Sequence, residues 1–322
     1  MNLSINPIKF APIFSGRSVS QYGVKEQPYS SSPIVDSFEL TSRPEVDKKQ
    51  ELINKIQSKL AFEDYDGILA ECGMQVKQND RGEKILSSFH QPSKDTTFAD
   101  LGVDENTLLK DITGVDGDFD IEYSTVSDLP NLKYVRGDVA IGYRKDVSMP
   151  NLNCVGGSVN APYTSNIDMS SLAVINGNAD FEGAADVNMD SLVKITNAAK
   201  FVDSQNVKLS NLTYIGGDAD FSLSSGIELP NLTDAGANFT AQKSDIKDLS
   251  SLRFIKGSID VSKSQVNKLA VGIMVEGDIH AEHSKLEAIR TGVVGGSIFI
   301  KGTSMEPMDF IYQNIGGRVQ FE

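Results

Sequence analysis

The chain has few of the side chains on which most catalytic and metal sites depend. Its 322 residues include three histidines, two cysteines and no tryptophan. Cys72 and Cys154 lie far apart and form no CxxC pair, which argues against a zinc site or a disulfide framework and favours a reducing compartment. GxSxG, GxxxxGKS and GxxxxGKT motifs are missing, and no GxGxxG follows a strand. We therefore expect no enzymatic activity and no cofactor.

Long hydrophobic runs are also missing, and one sign of charge dominates. No apolar run approaches the roughly 20 residues that a membrane-spanning helix needs, and the N-terminus lacks the apolar segment of a secretory signal. Lysine and arginine number 30 against 44 aspartates and glutamates, which gives a net charge of −14. This charge disfavours nucleic acids and anionic membranes as partners. The expected localisation is cytoplasmic, with secretion by a signal-peptide-independent route as the alternative.

What the chain has instead is a repeat of 20 residues. Its clearest column consists of Gly117, Gly137, Gly157, Gly177, Gly217, Gly257 and Gly277. Asn197 and Ala237 fill gaps in this column, and Gly296 and Gly317 continue it with slips of one residue. A ligand loop occurs once or twice in a chain, whereas eleven evenly spaced corners indicate architecture. The sequence predicts that these glycines turn the backbone through positive φ.

Apolar columns repeat with the same period. One column contains Leu132, Leu152, Leu172, Leu192, Leu212, Leu232 and Leu252, and valine or isoleucine follows most of these leucines three residues later. Each corner is followed by two apolar residues with one outward position between them, which is the alternation of a short strand. We therefore predict a mainly β chain in which residues 109–322 form a parallel β-solenoid of about eleven 20-residue coils, stacked about 4.8 Å apart.

The repeated pattern, as in "LSNLTYIGGD" at 209–218, resembles that of the leucine-rich-repeat superfamily, particularly its short bacterial forms and the coils of receptor L domains. The resemblance covers about residues 109–322 and implies a binding scaffold. A further column contains Ser204, Ser224, Ser244, Ser264 and Ser284, joined earlier by Ser124 and Thr164. Leucine-rich repeats carry an asparagine there that bonds to the next coil, and we expect these hydroxyls to replace it.

The residues before the repeat predict a tail and a cap. Residues 1–45 are polar and rich in serine and proline, which is typical of disorder, and "SGRSVSQ" at 15–21 resembles the export leader of some type III secreted effectors. For 46–108 we predict a small α/β cap over the apolar end of the first coil. It comprises an amphipathic helix at 46–62, a second helix ending at Gly73, a hairpin turning at 79–82 and a short helix capped by Asp104.

Outward positions of the predicted strands supply the candidate binding residues. The position between the two apolar residues carries Asp120, Asp180, Asp220 and Asp260, and the corner after the glycine carries Asp138, Asp218 and Asp278. Together they predict an acidic stripe suited to a basic partner, with solubility and the turn preference of aspartate as the alternative. His280, Glu282 and His283 are a weaker candidate for a metal site, against a solvated surface cluster.

Three functional hypotheses follow from these features. The first is a non-enzymatic scaffold that binds another macromolecule, a protein, on its strand face. The second is a structural solenoid that stacks with a second copy through its C-terminal coil. In the alternative, Arg318, Gln320 and Glu322 protect the open edge of this coil from pairing with another chain. The third is a secreted bacterial effector whose tail directs export.

Overall fold

The solenoid predicted from the repeat is confirmed. The computed structural model describes residues 44–270, 272–306 and 314–322, and places them in one compact unit. This part of the chain is mainly β, and its strands pair in parallel from coil to coil at a spacing of 20 residues. The predicted tail at 1–45, with its segment at 15–21, lies outside the described residues except for its last two positions.

Each described coil contributes one strand to each of two long sheets. Eleven coils are present, so the chain completes ten turns of the solenoid between its first coil and its eleventh. Sheet 1 has thirteen strands, the first two from the cap: Val76–Gln78, Lys84–Leu86, Ile112–Val115, Tyr134–Val135, Cys154–Val155, Val174–Ile175, Lys194–Ile195, Tyr214–Ile215, Asp234–Ala235, Phe254–Ile255, Ile273–Val275, Thr291–Val294 and Asn314–Ile315. Sheet 2 has eleven: Phe119–Asp120, Val139–Ala140, Val159–Asn160, Ala179–Asp180, Ala199–Lys200, Ala219–Asp220, Phe239–Thr240, Ile259–Asp260, Ile279–His280, Ile298–Phe299 and Val319–Gln320.

A third face is less regular. Its described strands form a sheet of three, Lys145–Ser148, Ser165–Asp168 and Ala185–Asn188, and a sheet of two, Asp248–Leu249 and Lys268–Leu269. A cleft of about 460 Å³ is lined by residues 226–230, 245–248, 250 and 251, and it therefore includes Asp248 from the sheet of two. The candidate residues predicted from the sequence lie outside this cleft.

Equivalent residues of neighbouring coils lie beside one another. Ala179 pairs with Val159 on one side and with Ala199 on the other. The corners are also bonded, since the N–H of Gly157 donates to the carbonyl of Gly137 at 2.9 Å and the N–H of Gly177 to that of Gly157 at 2.8 Å. Residues at one position of the repeat therefore form a continuous column along the solenoid.

The apolar columns form the core. The seven leucines of the first column are buried, as are the valines and isoleucines that follow them. Phe181, Phe201 and Phe221 stack in successive coils, with ring centroids 5.4 and 5.1 Å apart and planes within 4° of parallel. Because each coil is only one strand thick along the axis, its apolar side chains are buried only when coils lie on both sides.

The corner glycines permit close approach of the backbone, and our prediction that they supply positive φ is wrong. Gly137, Gly157 and Gly177 are outside the left-handed region. A Cβ added to Gly177 would lie 2.6 Å from the carbonyl carbon of Gly157 and 2.4 Å from Ser158 Oγ. Left-handed residues occur six positions later, as at Lys243, where φ is 55°.

The serine column also differs from its prediction, because its hydroxyls bond within their own coil. Ser204 Oγ donates to the carbonyl of Phe201 at 2.6 Å, and Ser224 Oγ to that of Phe221 at 2.7 Å. Both serines are buried. The column therefore closes a turn inside each coil and does not replace an asparagine ladder between coils.

The predicted elements of the cap are confirmed within a few residues. It contains α1 (Pro44–Leu60), α2 (Tyr65–Glu71), the antiparallel hairpin Val76–Gln78 and Lys84–Leu86, a 3₁₀ helix (Ala99–Leu101) and α3 (Glu105–Leu109). Asp104 caps α3 as predicted, because its side chain accepts the N–H of Asn106 at 3.2 Å. Gly73 and Gly82 take left-handed φ after α2 and in the hairpin turn.

Polar and aromatic contacts join the cap to the first coil. Phe89 packs against Phe119, with ring centroids 5.5 Å apart. Glu105 is fully buried and accepts hydrogen bonds from Gln91 Nε2 at 2.7 Å and from the N–H and hydroxyl of Thr125. A buried carboxylate must be bonded to be tolerated, so this contact fixes α3 on the coil that follows it.

The last coil is less buried than the others. Ile315, Val319 and Phe321 are only partly buried, whereas Ile255 and Ile259 at equivalent positions are fully buried. The predicted stacking of two copies through this coil concerns a second chain and stays a prediction.

Candidate functional site

The candidate site is the outward column of sheet 2. It contains Asp120, Ala140, Asn160, Asp180, Lys200, Asp220, Thr240, Asp260, His280, Phe299 and Gln320. These side chains are half-buried or exposed, while their neighbours along each strand are buried or half-buried. Asp180, Asp220 and Asp260 lie two coils apart, which corresponds to steps of about 10 Å. The sequence therefore placed the four aspartates in the correct column.

Each aspartate of this column is held by its own backbone. The Oδ1 atoms of Asp120, Asp180, Asp220 and Asp260 accept the N–H two residues later, at 3.0, 3.1, 2.9 and 2.9 Å. This arrangement is an Asx turn, which ends the strand. It uses one carboxylate oxygen and orients the other. Asp260 Oδ2 accepts a further hydrogen bond from Gln242 Nε2.

The corner aspartates have a different role, which the sequence did not reveal. Asp138 Oδ1 accepts the N–H of Ser158 at 2.6 Å, and Asp278 Oδ1 that of Ser297 at 2.7 Å. Asp218 Oδ1 accepts the N–H of Asn238 at 3.0 Å. The full column of acceptors contains Asp118, Asp138, Ser158, Asn178, Asp218, Asn238, Ser258, Asp278 and Ser297. We call this column the corner ladder.

The corner ladder explains why aspartate, asparagine and serine alternate after the corner glycines. Each residue offers a short side chain with an acceptor oxygen to the backbone of the next coil. Ala198 interrupts the ladder, since it has no acceptor for the N–H of Asp218. One oxygen of each corner aspartate is thereby engaged in holding neighbouring coils together, whereas the bonded oxygen of each outward aspartate is engaged within its own coil.

The candidate metal ligands form a pair and not a set of three. His280 Nδ1 lies 3.6 Å from Glu282 Oε1, and the ring of His280 stacks on that of Phe299 with centroids 4.5 Å apart. His283 is exposed at a left-handed corner and packs over Gly302. Within the described residues, no three histidine, cysteine or acidic side chains are grouped so that they could hold a metal ion.

Lys200 is the lysine in the outward column, and neighbouring acids pair with it. Its Nζ donates to Glu182 and lies 3.8 Å from Asp180 Oδ2. The hydrogen bond to Lys200 lowers the pKa of Glu182, and the same bond raises the pKa of Lys200. This local pairing cancels part of the acidic charge between Asp180 and Asp220.

The two thiols lie apart and both are free. Burial, and to a smaller extent the charge of Glu71, raises the pKa of Cys72 to about 11. A thiol with such a pKa is almost entirely protonated at neutral pH and is a poor nucleophile.

The structure also shows an exposed aromatic group that we did not single out in the sequence. Tyr123, Tyr143 and Tyr163 lie three residues after the first three outward positions of sheet 2. Their side chains are among the most exposed large hydrophobic groups of the described chain. The 20-residue spacing of these tyrosines is visible in the sequence, and a search of the polar positions for periodic aromatic residues would have found them.

Comparison of the chain with models of protein families, with curated proteins and with solved structures finds no match in any of the three. Among the described residues, no helix combines the length and the apolar character that crossing a membrane requires.

Proposed function

We propose that the chain is a non-enzymatic repeat scaffold that binds a protein partner on the outward face of sheet 2. The observation that carries the proposal is the fixed orientation of the aspartates in the outward column. Because an Asx turn already holds one oxygen of each carboxylate, little side-chain freedom is lost when a partner binds the other. At Asp260 and Asp180 the partner would compete with Gln242 and Lys200 for that oxygen. A row of oriented groups at a constant spacing suits a partner that lies along the solenoid.

Charge favours a basic partner. The chain carries a net charge of −14, and four of the eleven outward positions of sheet 2 are aspartate. Long-range attraction would raise the association rate of a basic protein and disfavour an acidic one. We restrict the proposed binding stripe to the outward column, because the corner aspartates link neighbouring coils.

We further propose that this scaffold is of the leucine-rich-repeat-like type. Buried leucine columns, coils of 20 residues and one outward side chain per strand support a leucine-rich-repeat-like scaffold. The serine column, which bonds within its coil, is a difference from the asparagine ladder that the resemblance implied. Leucine-rich repeats are seldom enzymes, and that tendency supports a binding role.

Affinity purification from the native source tests the proposal. The wild-type chain is immobilised beside a variant carrying Asp180→Asn, Asp220→Asn and Asp260→Asn, and the captured proteins are quantified. Each exposed ion pair contributes up to about 1 kcal/mol, so loss of three lowers recovery of the partner about tenfold or more.

A control with the same change in charge carries Asp186→Asn, Glu228→Gln and Asp234→Asn, all outside sheet 2. It is expected to capture the partner as the wild type does. Equal recovery by the wild type and by the variant of the outward column would contradict the proposal, provided that both remain folded by circular dichroism.

A further inference from the structure

Three exposed tyrosines form a ladder beside the first coils of sheet 2. The exposed fractions of Tyr123, Tyr143 and Tyr163 are 75%, 70% and 50%. The rings of Tyr143 and Tyr163 stack with centroids 5.5 Å apart. Tyr163 also covers Gly183, where an added Cβ would lie 2.5 Å from its ring. We call these three residues the tyrosine ladder.

The fold does not need tyrosine at this position. Tyr143 and Tyr163 occupy the left-handed corner, with φ of 61° and 54°. In other coils the same corner holds Gly183, Asp203 and Lys243. Small, acidic and basic residues thus all form this corner, and the tyrosines expose apolar surface there instead of burying it. Grouped aromatic surface of this kind is typical of interaction sites.

The charges beside the tyrosine ladder indicate what would occupy it. Asp120 and Glu122 precede Tyr123. Glu182, which also pairs with Lys200, accepts a hydrogen bond from the Tyr163 hydroxyl at 3.3 Å. Burial and the nearby charge of Asp120 raise the pKa of Glu122. The guanidinium of Arg144 is partly buried and donates to the carbonyl of Val126. Carboxylates beside aromatic rings are complementary to a cation that also has a flat face.

We propose that the tyrosine ladder and its flanking carboxylates bind an arginine-rich segment of the protein partner. A guanidinium lies flat over a tyrosine ring and donates paired hydrogen bonds to a carboxylate, whereas an ammonium offers only a compact charge. This inference rests on the proposed function, since it assigns the first coils of the same face to basic residues of that partner.

The test uses a labelled 12-residue peptide of alternating arginine and serine, and a second peptide with lysine for arginine. Fluorescence anisotropy at 0.15 M salt measures the affinity of each for the full chain. We expect the arginine peptide to bind at least fivefold more tightly than the lysine peptide. The variant Tyr143→Gly lowers the affinity for the arginine peptide about fivefold, and Tyr123→Ser with Tyr143→Gly lowers it more than tenfold.

Leu223 provides the matched control. It occupies the same corner with φ of 61°, is 51% exposed and lies three coils beyond Tyr163. Leu223→Gly therefore removes an exposed apolar group from an identical backbone position and is expected to bind the peptide as the wild type does. Glycine suits this corner in both variants, so loss of the fold is not expected.

Several results would overturn the inference: no binding of the arginine peptide, equal binding of both peptides, or unchanged affinity in Tyr143→Gly. The natural partner separates this inference from the proposed function. If the outward-column variant loses the partner while Tyr123→Ser with Tyr143→Gly retains it, the inference about the tyrosine ladder is wrong and the proposed binding function is retained. If only the tyrosine variant loses the partner, binding at the tyrosine ladder is supported and the proposal that the outward aspartates bind the partner is wrong.

Discussion

At several corners of the solenoid, the backbone of one coil meets the backbone of the next with no space for a side-chain carbon. Gly137 and Gly177 are both in this position, and a Cβ on either would lie 2.6 Å from a backbone carbon of the preceding coil. Contacts below 3 Å between non-bonded carbons force atoms to move. Glycine is therefore selected here by space and not by φ, and the cost of a larger residue is a steric cost.

The variant Gly177→Ala tests this conclusion. Its methyl group must push the corner away from Gly157 and Ser158, which also weakens the hydrogen bonds between coils. Overpacking of a filled site costs about 1–3 kcal/mol, so the urea midpoint of unfolding should fall clearly.

Ala237→Gly is the control, because Ala237 already accommodates a Cβ in the same column. Its cost is only the added freedom of glycine, about 0.5–1 kcal/mol. If Gly177→Ala were no more destabilising than Ala237→Gly, close approach would not explain the glycine column.

At the scale of the element, the corner ladder forms the side-chain hydrogen bonds between coils that we expected from the serine column. Its acceptors bond to the backbone N–H one coil later, so each side chain links two coils. The ladder is interrupted between Ala198 and Asp218, because the alanine methyl group accepts no hydrogen bond, and it resumes from Asp218. Among the described residues, no side chain takes its place at the N–H of Asp218. The contact between the coil of Ala198 and the coil of Asp218 therefore lacks a side-chain hydrogen bond that the neighbouring contacts have.

Ala198→Asn should complete the ladder. Asparagine occupies the same position at Asn178 and Asn238, so the side chain fits this corner. One added hydrogen bond contributes about 1 kcal/mol, which should raise the urea midpoint. Ala198→Val adds a side chain without a suitable acceptor and should not raise it. Stabilisation by valine equal to that by asparagine would show that packing, and not the acceptor, is what the corner lacks.

The periodic positions were predictable from the sequence, and the hydrogen bonds of their side chains were not. Period alone identified Gly177, Ser204, Asp218 and Asp220 as members of four columns. A serine, however, can bond to its own turn or to the next coil, and the choice depends on which backbone groups lie within about 3 Å. The same reason explains why the seven predicted aspartates divide into an outward column and the corner ladder. Tyr143 was missed because its column changes residue type after three coils.

At the scale of the whole molecule, stability is expected to be a sum over coils and the contacts between neighbours. The core is continuous from Phe89 in the cap to Ile300 near the other end, and each coil contacts the next in the same register. Removal of one complete coil should therefore bring equivalent surfaces together. Removal of part of a coil would place apolar residues of one coil against polar residues of the next.

Deletion of residues 179–198 tests this property, because it joins Asn178 to Ala199 and keeps every later column in register. It also removes the interruption at Ala198, so the Oδ1 of Asn178 faces the N–H of Asp218 and continues the corner ladder. We expect a folded chain with cooperative urea unfolding. Deletion of residues 179–188 removes half a coil and joins Asn178 to Met189, which shifts the later columns out of phase. This variant should lose cooperative unfolding, and equal folding of the two deletions would contradict a stack held together by matching columns.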